Sequence, residues 1–239
     1  MIGQTSILIV EDEVAIRTGL VDVFIYHGYR VEYAEEGLSG LEKALSGKFD
    51  LILLDVMLPH MNGFEICAKI REQNKSQPII MLTAKTADDD VINGLTLGAD
   101  DYVAKPFSVA QLVLRVKAVL RRIKPQETAD EFLQLDHKLK IDLRNLSLQK
   151  GEQQIQFTKR EVEVLVYLQR FNSRPVDREE LLEKVWGYGS EMQIETRTVD
   201  IHIARLRRKI ELDPKHPHFL LTIRGAGYRL NCIDESGCF

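Results

Sequence analysis

The sequence predicts a doubly wound α/β domain of five parallel strands, followed by an α+β domain of winged helix-turn-helix order. Three observations predict it. Short, continuously apolar runs alternate with helical patterns through residues 1–123, as in a sheet buried on both faces. Four of those runs end on Glu11-Asp12, Asp55, Thr83 and Lys105, and ligands bind at the carboxyl ends of such strands. Later in the chain, three helical patterns precede two strands joined by Arg224-Gly225-Ala226-Gly227, the tip of a hairpin.

The elements follow in order. A strand covers residues 6–10 and a helical pattern runs to about His27. A second strand covers about Arg30–Ala34, and a helix runs from about Gly37 to Ser46. The Leu51–Leu54 strand precedes a helix from about Asn62 to Glu72, and the Ile79–Leu82 strand a helix near Asp88–Leu97. The last strand, Tyr102–Ala104, leads to a helix over roughly Ser108–Ile123. Five strands with five helices imply the doubly wound architecture. In the closing helix Leu112, Val116, Val119 and Ile123 form the apolar stripe, which leaves Gln111, Arg115, Ala118 and Arg122 on another face. Two arginines there are either solvated charge or a partner surface.

Residues 124–131 are polar and contain a proline, so they read as a linker between a domain at 1–123 and one at 132–233; residues 234–239 form a tail. The second domain opens with strand-like segments at Phe132–Leu135, Lys138–Asp142, Leu146–Gln149 and Gln153–Phe157. Thr158-Lys159-Arg160-Glu161 is a capping box for a helix to about Phe171. Asp177 heads a helix through Trp186, and a third helix spans about Thr196–Glu211. Strands at Phe219–Ile223 and Tyr228–Asn231 flank the hairpin tip.

Composition excludes several classes. With 239 residues, 44% hydrophobic and 28% charged, the chain is an ordinary globular protein without a membrane-length apolar run. No basic region leads an apolar segment at the N-terminus, so a cytoplasmic location is expected. Three scattered cysteines, Cys67, Cys232 and Cys238, read as free thiols. The net charge of −4 does not advertise nucleic acid, but Arg197–Lys209 carries five basic residues and one acidic. A concentrated basic helix matters more for DNA than total charge.

The strand ends carry the chemistry. Glu11, Asp12 and Asp55, with a backbone carbonyl near Met57, are a donor set for Mg2+, which takes one or two carboxylates, waters and phosphate oxygens. One carboxylate must also be the nucleophile that forms an acyl phosphate, and Asp55, at the end of the central strand, is the candidate. Lys105 would neutralise phosphoryl oxygens as a point charge, and Thr83 would donate a hydrogen bond to them. Taken singly, each residue is as readily a helix cap or a surface charge. Four strands ending in complementary parts of one site is the signal.

On these residues the stretch Ile7–Ile123 resembles the flavodoxin-like receiver domain of two-component response regulators. The matching residues are Glu11-Asp12, Asp55 within Leu-Leu-Asp-Val-Met-Leu-Pro, Asn62-Gly63, Thr83-Ala84, Gly98–Tyr102 and Lys105-Pro106-Phe107. The resemblance implies that Asp55 accepts phosphate from a sensor histidine kinase. It implies that Glu11, Asp12, Asp55 and the Met57 carbonyl bind Mg2+, and that Lys105 pairs with the phosphoryl group. It further implies that Thr83 and Tyr102 form a switch and that the Lys105-Pro106 bond is cis. The same resemblance implies a homodimer formed on phosphorylation through the fourth helix, fifth strand and fifth helix, with Asp100 or Asp101 pairing with Arg115 or Arg122. Val91 and Gln111 stand where a basic–acidic pair is common, so one intersubunit pair is missing.

In the basic helix, Val199, Ile203, Leu206 and Ile210 fall on one stripe at 100° per residue. Arg197, Ile201, Ala204, Arg205 and Arg208 fall opposite. An exposed isoleucine beside arginines suits a thymine methyl beside a guanine or phosphate in the major groove. Arg224 would enter the minor groove, and Thr222 and Tyr228 would meet phosphates. His202 is either a phosphate contact or an interfacial histidine, and Trp186 is core with its indole edge near a phosphate. About Leu133–Asn231 resembles the effector domain of the OmpR/PhoB subfamily. The carrying residues are Phe157–Glu161, Val185-Trp186-Gly187, Arg197-Thr198-Val199-Asp200 and Arg224–Tyr228. Thr198 joins the DNA-contact candidates on that ground, and Ala204 stands where an arginine is common. The resemblance implies promoter DNA in direct repeats, and RNA polymerase as a partner of the Gly187–Glu195 loop.

Two other readings fit the residues less well. An α/β phosphatase also uses an aspartyl nucleophile and Mg2+, but carries a second aspartate where Met57 stands. A DNA-binding protein with an idle receiver does not need the complete pocket. The non-enzymatic, phosphorylation-controlled transcription factor is the leading reading.

Overall fold

Uninterrupted Ile, Leu and Val runs have no face to offer to water, so they go to the middle of a layered structure. In the computed structural model, β1 (Ser6–Val10), β3 (Leu51–Asp55) and β4 (Ile79–Thr83) are buried at every residue. With β2 (Arg30–Ala34) and β5 (Asp101–Ala104) they form one parallel sheet in the order β2-β1-β3-β4-β5. The described residues are 4–83, 98–121, 131–137, 139–188 and 197–232. Outside them lie the helix expected near Asp88–Leu97, the linker up to residue 130, Val91, Arg122, and residues 189–196 and 233–239.

The helices are α1 (Val14–Tyr26), α2 (Gly37–Leu45), α3 (Gly63–Gln73) and α4 (Val109–Arg121). Ile7, Ile9, Phe24, Leu53, Leu82, Leu112 and Val116 belong to one buried cluster. α3 begins at a capping box: the Asn62 side chain accepts from the Glu65 amide at 2.9 Å, and the Glu65 carboxylate accepts from the Asn62 amide at 3.3 Å. Gly63 sits so close to β3 that a Cβ there would lie 2.1 Å from the Asp55 carbonyl oxygen.

The face of α4 differs from the expectation. Arg115 and Ala118 are buried, whereas Gln111, Leu114, Lys117 and Arg121 are exposed. The cause is a second anion in the core: Asp101 is fully buried, and Arg115 Nη1 donates to its Oδ2 at 2.7 Å.

The chain divides into two compact units, Met1–Ile123 and Lys124–Phe239. In the second, β6 (Phe132–Gln134), β7 (Lys140–Asp142), β8 (Ser147–Lys150) and β9 (Gln153–Gln156) form an antiparallel sheet in that order. α5 (Lys159–Arg170) starts at the Thr158/Glu161 capping box. α6 (Arg178–Leu181), capped by Asp177, continues into a π-helical turn, Leu182–Trp186. α7 (Arg197–Ile210) precedes the hairpin of β10 (Leu220–Ile223) and β11 (Gly227–Leu230). Tyr228 also pairs with Val176, and a Cβ on Gly227 would lie 2.1 Å from the Val176 carbonyl oxygen. Three helices and a hairpin make the winged-helix arrangement. Trp186 is fully buried, as its core reading required.

Candidate functional site

Parallel register sets the site. Val10 pairs with Leu54 and Asp55 pairs with Leu82, so Glu11, Asp55 and Thr83 leave three adjacent strands at one edge. Thr83 pairs with Ala104, which places Lys105 at the same edge of β5. The strand order changes direction between β1 and β3, the place where doubly wound sheets open a crevice. Sequence-distant residues are thereby brought together.

The distances confirm a cleft. Lys105 Nζ donates to Asp55 Oδ2 at 2.9 Å and to the two Glu11 oxygens at 3.0 and 2.9 Å. Asp55 Oδ1 accepts from the Met57 amide at 3.2 Å. Carboxylate oxygens of Glu11, Asp12 and Asp55 all lie within 4.8 Å of one another. Glu11 and Asp55 are buried and Asp12 is exposed, so the cluster opens to solvent on one side.

The electrostatics fit a divalent cation. Burial raises the Glu11 carboxyl to about 7, and the Asp55 charge adds to the rise; the Lys105 hydrogen bonds offset it in part. Burial also works against the Lys105 ammonium, but its bonds to Asp55 and Glu11 outweigh that and raise its pKa. Three carboxylates against one ammonium leave an excess of negative charge facing the opening. All-oxygen donors in such a cluster suit Mg2+ better than a soft metal.

Thr83 and Tyr102 stand on adjacent strands, both buried, with Tyr102 beside Met81 in register. The Lys105-Pro106 bond is cis. Asp100 and Asp101 do not stand free for a partner chain. Asp100 Oδ2 accepts from Arg71 Nη2 at 2.9 Å and from the Ile79 amide at 2.9 Å, while Asp101 takes Arg115. Within one chain, then, Asp100 pairs with Arg71 and Asp101 with Arg115, and an intersubunit use of Asp100, Asp101 or Arg115 requires these pairs to be exchanged or shared. Arg71 went unnoticed in the sequence because nothing local marks its partner.

The nucleic-acid candidates also need correction. Thr198, Ile201, His202 and Arg205 of α7 are buried, as is Tyr228 of β11. The physical reason is Glu161, whose capping-box carboxylate is fully buried on α5. An anion there requires cations: Lys209 Nζ lies 2.6 Å from Glu161 Oε2, and Arg205 Nη2 lies 3.2 Å from Oε1. Burial alone would raise the Glu161 carboxyl, but the charges of Arg205 and Lys209 hold it at about 2. That contact turns the expected outer stripe inward.

His202 follows Arg205 into the interior. Its Nδ1 lies 2.9 Å from the Thr198 carbonyl oxygen, and its ring meets Trp186 edge-on at 5.0 Å. Burial, with the Arg205 charge beside it, pushes His202 down to about 3. It is an interfacial histidine. Tyr228 hydrogen-bonds Asp200 and accepts from Arg178 Nη2 at 3.0 Å. Of the expected contacts, Arg208, Thr222 and Arg224 are exposed. Thr222 Oγ1 accepts from Arg207 Nη2 at 2.7 Å, a contact the sequence did not signal. The Arg197 side chain lies outside the described residues.

Comparison with known proteins agrees with this geometry. Residues 7–117 match the family described as response regulator receiver domain, and residues 151–230 the family described as transcriptional regulatory protein, C terminal. The chain is 42% identical over 225 residues to "Response regulator ArlR" of Staphylococcus haemolyticus, covering 94% of this chain and 99% of that protein. It is 42% identical over 232 residues to "Alkaline phosphatase synthesis transcriptional regulatory protein PhoP" of Bacillus subtilis, covering 94% and 96%. Among solved structures, a RitR mutant is similar with a TM-score of 0.68 at 29% identity, covering 95% of this chain and 98% of that one.

Proposed function

The chain belongs to the two-component response regulators of the OmpR/PhoB type and is a phosphorylation-dependent regulator of transcription; from that premise we propose that Asp55 is its phosphoacceptor. A carboxylate oxygen of Asp55 attacks the phosphorus of a phosphohistidine on a sensor kinase. The P–O bond forms as the P–N bond breaks; the other ring nitrogen of the phosphohistidine is protonated, so the electron pair of the broken bond stays on a neutral imidazole that leaves with the kinase. Glu11, Asp12, Asp55 and the Met57 carbonyl would hold Mg2+, which supplies charge neutralisation for the phosphoryl oxygens. Lys105 exchanges its contact with Asp55 for one with the new phosphoryl oxygens. The observation that carries this reading is the Lys105 ammonium held 2.9 Å from both Glu11 and Asp55.

A phosphoryl group brings roughly −1.5 to −2 charge to a single point. Thr83 turns toward it, and Tyr102 fills the space that Thr83 leaves. The changed surface, including the exposed stripe of α4, forms a homodimer. The second unit then binds promoter DNA through α7 and the hairpin, with Arg208, Thr222 and Arg224 outermost. The linker lets a symmetric dimer place its two DNA-binding units on direct repeats. RNA polymerase is the partner of the loop after Gly187.

Incubation with a small-molecule phosphodonor and Mg2+ tests the reading. An acid-stable, base-labile adduct that is absent in Asp55→Asn, together with a gain in promoter affinity, is the expected result. An adduct that persists in Asp55→Asn overturns the assignment.

A further inference from the structure

Two of the three cleft carboxylates belong to the short loop between β1 and α1, and that loop lacks a side-chain cap. Glu13 stands at the N-cap of α1 and makes no side-chain capping hydrogen bond. Where Ser, Thr, Asp or Asn would normally tie such a loop to its helix, the tie comes from Arg17, one turn along α1. Arg17 Nη1 donates to the Glu11 carbonyl oxygen at 2.9 Å and to the Asp12 carbonyl oxygen at 2.9 Å. Nη2 donates to Glu35 Oε1 at 3.0 Å, and the guanidinium lies 5.4 Å from the Tyr33 ring centroid.

A solvated surface pair does not account for this arrangement. The Arg17 side chain is 8% exposed and that of Glu35 is 61% exposed, so the arginine is the enclosed partner. An exposed carboxylate contributes little to such a pair. Burying a guanidinium costs more than that unless its donors are used. They are used here on the main chain of the two residues whose carboxylates face Asp55.

We infer that Arg17 is a positioning residue for the divalent-cation cleft: its guanidinium fixes the Glu11 and Asp12 main chain and thereby aims their carboxylates at a cation shared with Asp55. The inference rests on the cleft being the Mg2+ site proposed above. Positioning and charge make opposite demands, which renders them separable. Coulomb repulsion alone says that removing the Arg17 cation tightens Mg2+ binding. Loss of the fork loosens the loop and weakens it. Lys keeps the charge, but its single nitrogen cannot stand both at the Nη1 position between the two carbonyls and at the Nη2 position beside Glu35, so it is not braced there.

The experiment is calorimetric titration of the full-length chain with Mg2+ alone, for wild type, Arg17→Gln and Arg17→Lys, beside metal-free melting temperatures. Both variants are expected to lose Mg2+ affinity by on the order of 10-fold, as with other groups that orient metal ligands from behind. Tighter binding in Arg17→Gln with wild-type binding in Arg17→Lys reduces Arg17 to a charge and overturns the inference. Unchanged affinity with a lower metal-free melting temperature reduces it to a structural brace and also overturns it. Should Arg17→Gln unfold the unit, Glu35→Ala decides: removing the acceptor of Nη2 loosens the guanidinium on the Glu11 and Asp12 carbonyls and is expected to weaken Mg2+ binding, and unchanged binding overturns the inference. A wild-type chain that binds no Mg2+ marks a failure of the cleft assignment itself, a result distinct from these.

Discussion

Arg115 Nη1 lies 2.7 Å from Asp101 Oδ2, and both side chains are enclosed within one chain, at 8% and 0% exposure. Removing one member of a buried pair leaves an uncompensated charge, which costs about 3–5 kcal/mol. Arg115→Ala should therefore lower the stability of the unphosphorylated monomer by that order. Urea unfolding monitored by circular dichroism at concentrations where the chain is monomeric checks it. Wild-type stability in that variant, with only the dimer weakened, would return Arg115 to the intersubunit role.

Lys105 holds oxygens of both Glu11 and Asp55. Its ammonium repels a metal cation and attracts phosphoryl oxygens. Lys105→Ala is expected to bind Mg2+ more tightly than wild type, yet to lose the gain in promoter affinity on phosphorylation. Calorimetry and DNA titration of the phosphorylated chain read the two effects. Weaker Mg2+ binding would contradict the repulsive role.

Gly63 marks the closest approach of α3 to the site, 2.1 Å between a would-be Cβ and the Asp55 carbonyl oxygen. The neighbour is backbone and cannot swing aside. Gly63→Ala should cost about 1–3 kcal/mol, as overpacking does, and slow adduct formation by shifting Asp55. Unfolding curves together with phosphorylation rates test this. Unchanged values in both would show that the helix can slide.

The second unit should be acid-sensitive. His202 is buried neutral with its pKa lowered from 6.5 to about 3. Above 6.5 both folded and unfolded states carry the neutral ring, so stability there is unaffected. Below 6.5 only the unfolded chain takes up the proton, and stability falls by about 1.4 kcal/mol per pH unit until the folded pKa is reached. Glu161, lowered from 4.5 to about 2, adds a loss of the same sign only below 4.5. The single tryptophan, Trp186, is buried in this unit, so its fluorescence reports this unfolding. His202→Gln should flatten the dependence between pH 6.5 and 4.5, whatever its effect on absolute stability. An equally steep dependence in that variant would assign the proton uptake elsewhere.

The order of the described elements, their bounds to within a residue or two and the kit at the strand ends were legible from the sequence. Each depends on neighbours in the chain. The apolar runs force buried strands, Asn62/Glu65 and Thr158/Glu161 satisfy helix ends locally, and parallel strands must bring their carboxyl ends to one edge. Only the tertiary structure decided which way the long cations turn. Arg115 and Arg205 lie at helical angles compatible with solvent, and periodicity ranks angles without locating a buried anion; Arg17 shares the face of Leu20 and Phe24, and periodicity does not show the carbonyls that admit a cation there. Glu161 draws in Lys209 from 48 residues away, and Arg205 with it, turning Ile201, His202 and Thr198 inward. A buried charge binds its counter-charge wherever the fold brings one near, so the DNA-facing and partner-facing stripes follow from long-range electrostatics that a helical wheel does not contain.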